Sequence, residues 1–273
     1  MTSNKNTSID DLPPAATTFA GIQTRYLRHP GLMTGLIIIV LVSFVAIFAP
    51  LIAPYPPLES DMMQTLAQPS WEHLLGTDQY GREILSRLIW GSRISLEVAG
   101  MVVMISLTFG TLIGVVAGYA GGWNERCLMV GNDILLAFPG FLLALALVAV
   151  RGSSLESVIL AVSIAYMPRV AAVMRSVVIT IKPRPYIEAS QAIGMTPFRV
   201  LFAHIIPNSL PPVIVVGTVS AATAILAEAG LSFLGLGVQP PDATRGNVIA
   251  DGQSYIISNP WISLSAGSCT AVV

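Results

Sequence analysis

Uncharged apolar runs long enough to cross a membrane recur along this chain of 273 residues. Residues 32–52 form a stretch of 21 without a charged side chain, enough helix for a hydrocarbon layer about 30 Å thick. Further apolar runs cover residues 98–120, 134–150, 155–181 and 205–227. Lipid offers no hydrogen bonds to bare backbone N–H and C=O groups, so runs of this kind must be helical. The chain therefore reads as all-α, a polytopic membrane helix bundle with about five spans. Composition agrees: 53% of residues are hydrophobic and 11% charged, with mean hydropathy +0.72, against roughly 25% charged in soluble domains.

The same composition excludes several classes of function. Net charge is −1 and only two residues are lysine, so there is no basic footprint for nucleic acid. Cys127 and Cys269 have no metal-binding or redox spacing. His29, His73 and His204 are scattered without HExxH spacing, and no Gly-x-Ser-x-Gly elbow occurs. No metal site and no catalytic residue is expected. No Gly-x4-Gly-Lys-Ser/Thr loop is present either. If ATP drives this protein, ATP and its Mg are bound by another subunit.

Along the chain, residues 1–31 are polar, with Pro13 and Pro14, and read as a cytoplasmic tail. The run at 32–52 starts too late and is too long for a secretory signal, so it reads as a retained first span. Residues 53–93 are a hydrophilic connection, with Pro54, Pro56 and Pro57 stopping the preceding helix. Late in it, Asp78 is placed to cap an amphipathic helix with Ile84, Leu85, Leu88 and Ile89 inward, Arg82 and Glu83 facing water. Gly110, Gly114, Gly118 and Gly122 recur at every fourth position, a small-residue face for close helix contact in lipid. Asp133 stands at the edge of the third span, and Pro168, Arg169 and Arg175 interrupt the fourth. An arginine in mid-bilayer costs at least about 2.5–3.5 kcal/mol. Arg175 is therefore placed near the inner surface, and Arg169 against protein or a water-filled cavity. Glu228 follows the fifth span. It suits either a role in a translocation path or a hydrogen-bond partner for backbone amides in a re-entrant turn.

Between two apolar runs lies the polar segment 185–212, PYIEASQAIGMTPFRVLFAHIIPNSLPP. Glu188 to Ile193 favour helix. Gly194 can leave that helix at positive φ, and Thr196 with Pro197 reads as an N-cap and first helical position. A second helical run follows, with Val200, Leu201 and Ile205 on one face. The prediction is helix, sharp turn, helix outside the bilayer, a handle for a soluble partner.

This segment also carries a family resemblance. Glu188-Ala189-Ser190, Gly194 six residues after the glutamate, and His204-Ile205-Ile206-Pro207-Asn208 resemble the EAA loop of bacterial ABC-importer permeases. The Leu75-Gly76-Thr77-Asp78 stretch with Gly81-Arg82 resembles a signature of the dipeptide/oligopeptide/nickel branch, C-type subunit. There Glu83 stands for the usual aspartate. Asp133 with Ala137-Phe138-Pro139, and the run from Leu231 to Pro241, resemble the same branch.

The resemblance implies the type I ABC-importer permease fold, with a core over residues 94–260 and a coupling loop at 182–206. It implies that Glu188, Ala189, Ser190, Gly194, His204 and Pro207 couple the permease to an ATPase. Asp133, Arg169 and Glu228 are candidates for the path or its gating, and Gly110, Gly114 and Gly118 for helix packing. Implied partners are a second homologous permease subunit, two cytoplasmic ATPase subunits, an extracytoplasmic substrate-binding protein and the lipid bilayer. The expected function is a permease subunit of an ATP-driven importer of di- or oligopeptides. Alternatives are a secondary carrier using membrane acids, though no internal repeat of the usual kind is visible, and an inactive truncated remnant.

The implied location is the bacterial inner membrane, multi-pass, with the N-terminus cytoplasmic. Cationic side chains divide eight inside against five outside on that placement, in the direction of the positive-inside rule. After Trp261 only 12 residues remain. Residues 261–273 read as an atypical tail, truncated or frame-shifted relative to the family, in place of a sixth span.

Overall fold

The computed structural model describes residues 30–239 and 242–272. The tail expected over residues 1–31, with Lys5, Arg25, Arg28 and His29, lies outside the described residues up to position 29, as do Pro240 and Pro241. The chain divides into two units, Met1–Val42 and Ser43–Val273. The described part of the first unit belongs to α1 (Pro30–Ile47), an uncharged helix of 18 residues. The predicted run to residue 52 is interrupted. The helix ends at Ile47, and a four-residue turn, α2 (Ala49–Ile52), follows. Pro50 supplies the reason: it has no N–H for the Ala46 carbonyl and its ring crowds that carbonyl.

The second unit is built around α3 (Ile84–Ala120), 37 residues long and therefore about 55 Å from end to end. The amphipathic helix and the second span predicted separately are one helix. Its cap also differs from prediction. Glu83, not Asp78, is the N-cap, accepting from Ser86 N–H at 3.0 Å. Arg82 and Glu83 do not both face water, since Glu83 is buried and Arg82 half-buried.

At its other end α3 stops at Gly121 (φ 69°). Next come α4 (Gly122–Leu136) and α5 (Gly140–Arg151), bent by 87° where a single span was expected. Pro139 lacks an N–H and biases Phe138 out of the helical region, so the chain turns there. α6 (Leu155–Ile181) starts at Ser154, whose hydroxyl accepts from Ser157 N–H at 3.1 Å. Then come α7 (Pro185–Ala192), α8 (Pro197–Val200), a π turn (Leu201–Ile205), α9 (Ile206–Phe233), α10 (Arg245–Gln253) and α11 (Trp261–Val272). Among the described residues the β pairing amounts to one isolated bridge, Thr77 with Glu83. Among the described residues, four helical stretches can cross a membrane by length and composition, five if the bent pair is one span.

Helix α6 is the hub. Val158, Val162 and Ala165 pack with Val98 and Val102 of α3, Ala144 and Val148 of α5, and Ala224 and Leu231 of α9. Towards its C-terminus α6 runs alongside α3 at backbone-to-backbone range. A Cβ at Gly110 would lie 2.7 Å from Val170 Cβ, one at Gly114 2.5 Å from the Ala171 carbonyl oxygen, and one at Gly118 2.8 Å from Val178 Cβ. Gly122, the fourth member of the predicted face, is elsewhere: it opens α4 at φ 59° with nothing near it. Pro168 does not interrupt α6, which runs through it unbroken, and the buried Asn132 of α4 donates to the Pro168 carbonyl at 3.2 Å. The segment 261–273, read as an atypical tail, is helical over Trp261–Val272. Ile262 and Ala266 are buried against Ile84, Leu88 and Val248. At 12 residues it is shorter than a span.

Candidate functional site

At the end of α6, Arg184 is extended and Pro185 opens α7. The close of α7 follows from one glycine. Gly194 sits at φ 91°, its N–H donates to the Gln191 carbonyl at 2.9 Å, and Met195 N–H donates to the Ser190 carbonyl at 3.1 Å. This paired closure is the Schellman arrangement. Thr196 and Pro197 occupy the N-cap and first position of α8, but the threonine hydroxyl makes no capping bond.

The second helix of the hairpin does not stop before the next span, as the sequence suggested. It widens into the π turn and runs on as α9, through Pro207, Pro211 and Pro212. The wide turn, with Ile206 N–H donating to the Leu201 carbonyl, accommodates Pro207, which cannot donate to an i−4 carbonyl. Side chains reinforce the join: Asn208 Nδ2 donates to the His204 carbonyl at 2.6 Å, and Ser209 Oγ to Ile205 at 2.7 Å.

The hairpin is pinned from inside and bare outside. Ile187, Val200 and Ile205 are fully buried against Met174, Val178, Ile181 and Val213. The His204 ring meets the Tyr186 ring edge-on at 6.2 Å, tying the two hairpin helices together. Ser190 Oγ donates to the Tyr186 carbonyl at 2.7 Å. Glu188, Ala189, Gly194 and Pro207 are exposed. So are three large apolar side chains that the sequence reading did not single out: Ile193 at 85%, Phe198 at 75% and Phe202 at 66%. They follow from the pattern in hindsight, since Phe198 and Phe202 are four apart and lie off the Val200–Ile205 face.

Beside the hairpin is a cleft of about 520 Å³ lined by Gly118, Glu125, Lys182, Glu188 and Gln191 among others. Lys182 Nζ donates to the Tyr119 carbonyl at 2.8 Å, and Arg175 Nε to Glu125 Oε1 at 2.7 Å. Arg175 thus lies at this end of the bundle, charge-paired between α4 and α6.

The opposite end of α3 holds a closed ion cluster. Arg87 Nη1 lies 2.6 Å from Asp78 Oδ2 and 3.0 Å from Asp251 Oδ2, while Arg82 bridges the same two carboxylates at 2.7 and 3.2 Å. Asp78 also accepts from Tyr80 N–H and Arg82 N–H, so it fixes a loop and two guanidinium groups at once. The cluster forms one wall of a pocket of about 340 Å³, with Phe233, Gln239 and Asn247 on other sides.

The three path candidates are not brought together. Asp133 and Arg169 are exposed on this chain, and Glu228 is fully buried. Glu228 lies inside α9, not in a re-entrant turn. Its partners are hydroxyls, Ser232 Oγ at 2.8 Å and Ser95 Oγ at 3.4 Å, not backbone amides. Beside Asp133, it is Asn132 that makes a buried structural hydrogen bond, to the Pro168 carbonyl. Burial lowers the Arg245 guanidinium from its ordinary pKa, with Cys269 and Glu228 opposing.

The molecule is thus a helical bundle with one helix pair bent at a proline and a two-helix hairpin pinned to the central helix. The fold is similar to a chain of the methionine ABC transporter in inward-facing conformations, with TM-score 0.60 and 18% identity over 69% of this chain and 90% of that one. The family described as binding-protein-dependent transport system inner membrane component matches residues 110–273. The N-terminal TM domain of oligopeptide transport permease C matches residues 19–69.

Among curated relatives, the dipeptide transport system permease protein DppC of Alkalihalophilus pseudofirmus is 43% identical, over 86% of this chain and 77% of that protein. The di/tripeptide permease DppC of Pseudomonas aeruginosa is 40% identical, over 87% and 80%. The glutathione permease GsiD of Pectobacterium atrosepticum is 36% identical, over 88% and 80%. The chain belongs to the ABC-importer inner-membrane permeases, in the C-type branch of the dipeptide and oligopeptide systems.

Proposed function

We propose that this chain is one of two permease subunits of an ATP-driven importer of di- or oligopeptides, and that the α7–α8 hairpin receives work from a cytoplasmic ATPase. The observation carrying the reading is the hairpin's two-sidedness: Ile187 is fully buried on the bundle while Phe198 and Ile193 stand in solvent. A lever needs one face fixed to the load and one face free for the motor. The peptide class rests on relatives named for dipeptide and di/tripeptide transport.

In this reading ATP and Mg are bound by two partner ATPase chains, and a substrate-binding protein delivers cargo at the ion-cluster end. Closure of the ATPase pair moves the hairpin as a rigid body, and the spans switch between inward- and outward-open states. Glu188 and Gly194 contribute shape and docking, not proton transfer. Asp133 and Arg169, exposed on this chain, are assigned to the surface facing the second permease and the central cavity. The N-terminus and the hairpin share the cytoplasmic side.

The test is Gly194→Asp. A Cβ has room there, since nothing lies within 4 Å, but the φ of 91° is strained for any residue other than glycine, at about 1–3 kcal/mol. The variant is expected to reach the membrane and to lose coupling of ATP hydrolysis to uptake. Normal peptide accumulation by that variant contradicts the lever. Uptake that survives ATP depletion but fails without a proton gradient favours a secondary carrier instead.

A further inference from the structure

Helix α9 leaves the hairpin through the π turn without a break and carries Glu228 to a point about 33 Å past its start. There it meets the first turn of α10. A Cβ at Gly246 would fall 2.4 Å from the Ala229 carbonyl oxygen and 2.6 Å from Ser232 Cβ. From the other side, a Cβ at Gly91 of α3 would fall 3.1 Å from the Arg245 backbone nitrogen. The opening of α10 is thus wedged between α3 and α9 at backbone range. The Thr244 hydroxyl fixes the turn, accepting from Asn247 N–H at 3.1 Å.

Two opposite charges are buried at this junction and do not meet. Glu228 is 0% exposed and Arg245 5%. Glu228 is held by hydroxyls, that of Ser232 on its own helix and that of Ser95 on α3, one turn on from Gly91. Arg245 is held less well. Its Nη1 reaches the Cys269 carbonyl at 3.5 Å, and its Nε is buried with no acceptor. Among the described residues neither side chain is in an ion pair. Burial lowers the Arg245 guanidinium and the Glu228 charge opposes that shift, so the two lie within electrostatic reach.

Both groups have given up water, and the attraction that would offset the loss is not realised. Backbone keeps them apart. α10 cannot approach α9 across Gly246, nor α3 across Gly91, because the chains already touch there. Closure requires α9 to slide or turn about its own axis. A push on the hairpin supplies that movement, since α9 is the hairpin's continuation.

We propose that Glu228 and Arg245 are the two halves of a conformational switch, open in this structure and closed into an ion pair when ATP-driven movement of the hairpin travels along α9. Closure re-aims α10. The far end of that helix is tied to Arg82 and Arg87 through Asp251, and its Asn247, Ala250 and Asp251 line the pocket of about 340 Å³. Work done at the hairpin thereby reaches the opposite end of the bundle. The inference rests on the lever reading above and adds the residues at which the lever's far end acts.

The test is a double-variant cycle on Glu228→Gln and Arg245→Gln, in the transporter assembled with its ATPases and binding protein in proteoliposomes. Without nucleotide the pair is open, so the two changes should shift the unfolding midpoint additively. In ATP-driven peptide uptake they should not add. Each single variant is expected to slow uptake about tenfold, and the double variant no more than the slower single. Arg245→Lys, which keeps the charge, should recover part of the loss. Amide exchange over α10 supplies a second readout. It should slow in the vanadate-trapped wild type relative to the nucleotide-free assembly, and the slowing should vanish in Glu228→Gln. Uptake losses that multiply in the double variant, or α10 exchange indifferent to nucleotide, overturn the switch, while ATP-driven uptake by the wild type leaves the lever standing. A wild-type assembly that hydrolyses ATP and takes up no peptide fails the lever reading itself, and the switch with it.

Discussion

The two ends of α3 are finished in opposite ways. At the N-terminal end, residues 53–83 fold back on themselves. Thr77 and Asp78 are buried, and the Asp78–Arg82–Arg87–Asp251 cluster neutralises its own charges. At the C-terminal end, the neighbouring hairpin of α7 and α8 buries Ile187 and leaves Ile193, Phe198 and Phe202 bare. Large exposed apolar side chains grouped on one element mark a surface that another molecule covers. The difference teaches that one end holds its shape through internal charge pairing, whereas the other leaves large apolar side chains uncovered, where the proposed docking would cover them. Substitutions at the first end should therefore cost stability, and those on the outer face of the second should cost coupling alone.

Arg87→Ala should have the largest effect. It leaves Asp78 buried with half its compensation gone, and removing one partner of a buried pair typically costs about 3–5 kcal/mol. Thermal unfolding in detergent should show a marked fall; an unchanged midpoint breaks the contrast at its stronger end. Ile187→Ala comes next, at about 2–5 kcal/mol for a large-to-small change in a packed site. Its cost should be local, read as faster amide hydrogen exchange over α7 with the α3–α6 contact still protected. Thr77→Ala removes the hydroxyl that accepts from Ala67 N–H at 2.9 Å and should cost about 1–3 kcal/mol by stranding that donor. The smallest stability change is predicted for Phe198→Ser, within about 0.5 kcal/mol for an exposed position. The same change should weaken ATPase docking by about 2 kcal/mol if this ring is an anchor, measured as loss of co-purified ATPase. A variant that unfolds while docking normally reverses the contrast.

Much of this was legible in the chain itself. Apolar runs gave the spans because lipid permits helix and little else. The Gly110–Gly114–Gly118 spacing placed small residues on one side of a helix, and that side is where α3 meets α6. Gly194 was readable as a helix stop because the rule it obeys is local. What could not be read depended on distant partners. Asp78 resembled a cap by position, yet its acid is held by Arg82 and Arg87, which are shared with Asp251 far along the chain, and this left Glu83 to cap α3. Asn132 was passed over for Asp133 because charge attracts notice, while its bond is to a carbonyl on another helix. The merging of α8 with α9 was hidden because prolines signal a break, and only the π turn before Pro207 shows how the helix absorbs it.

The account stands on which side of the membrane the hairpin occupies and what touches it there. With Cys127 and Cys269, both exposed, first changed to serine, a single cysteine in place of Glu188 can be challenged with a membrane-impermeant maleimide. Labelling in inverted vesicles, blocked when the ATPase subunits are bound and absent in intact cells, is the predicted result. Labelling of Glu188→Cys from the outside of intact cells contradicts the account.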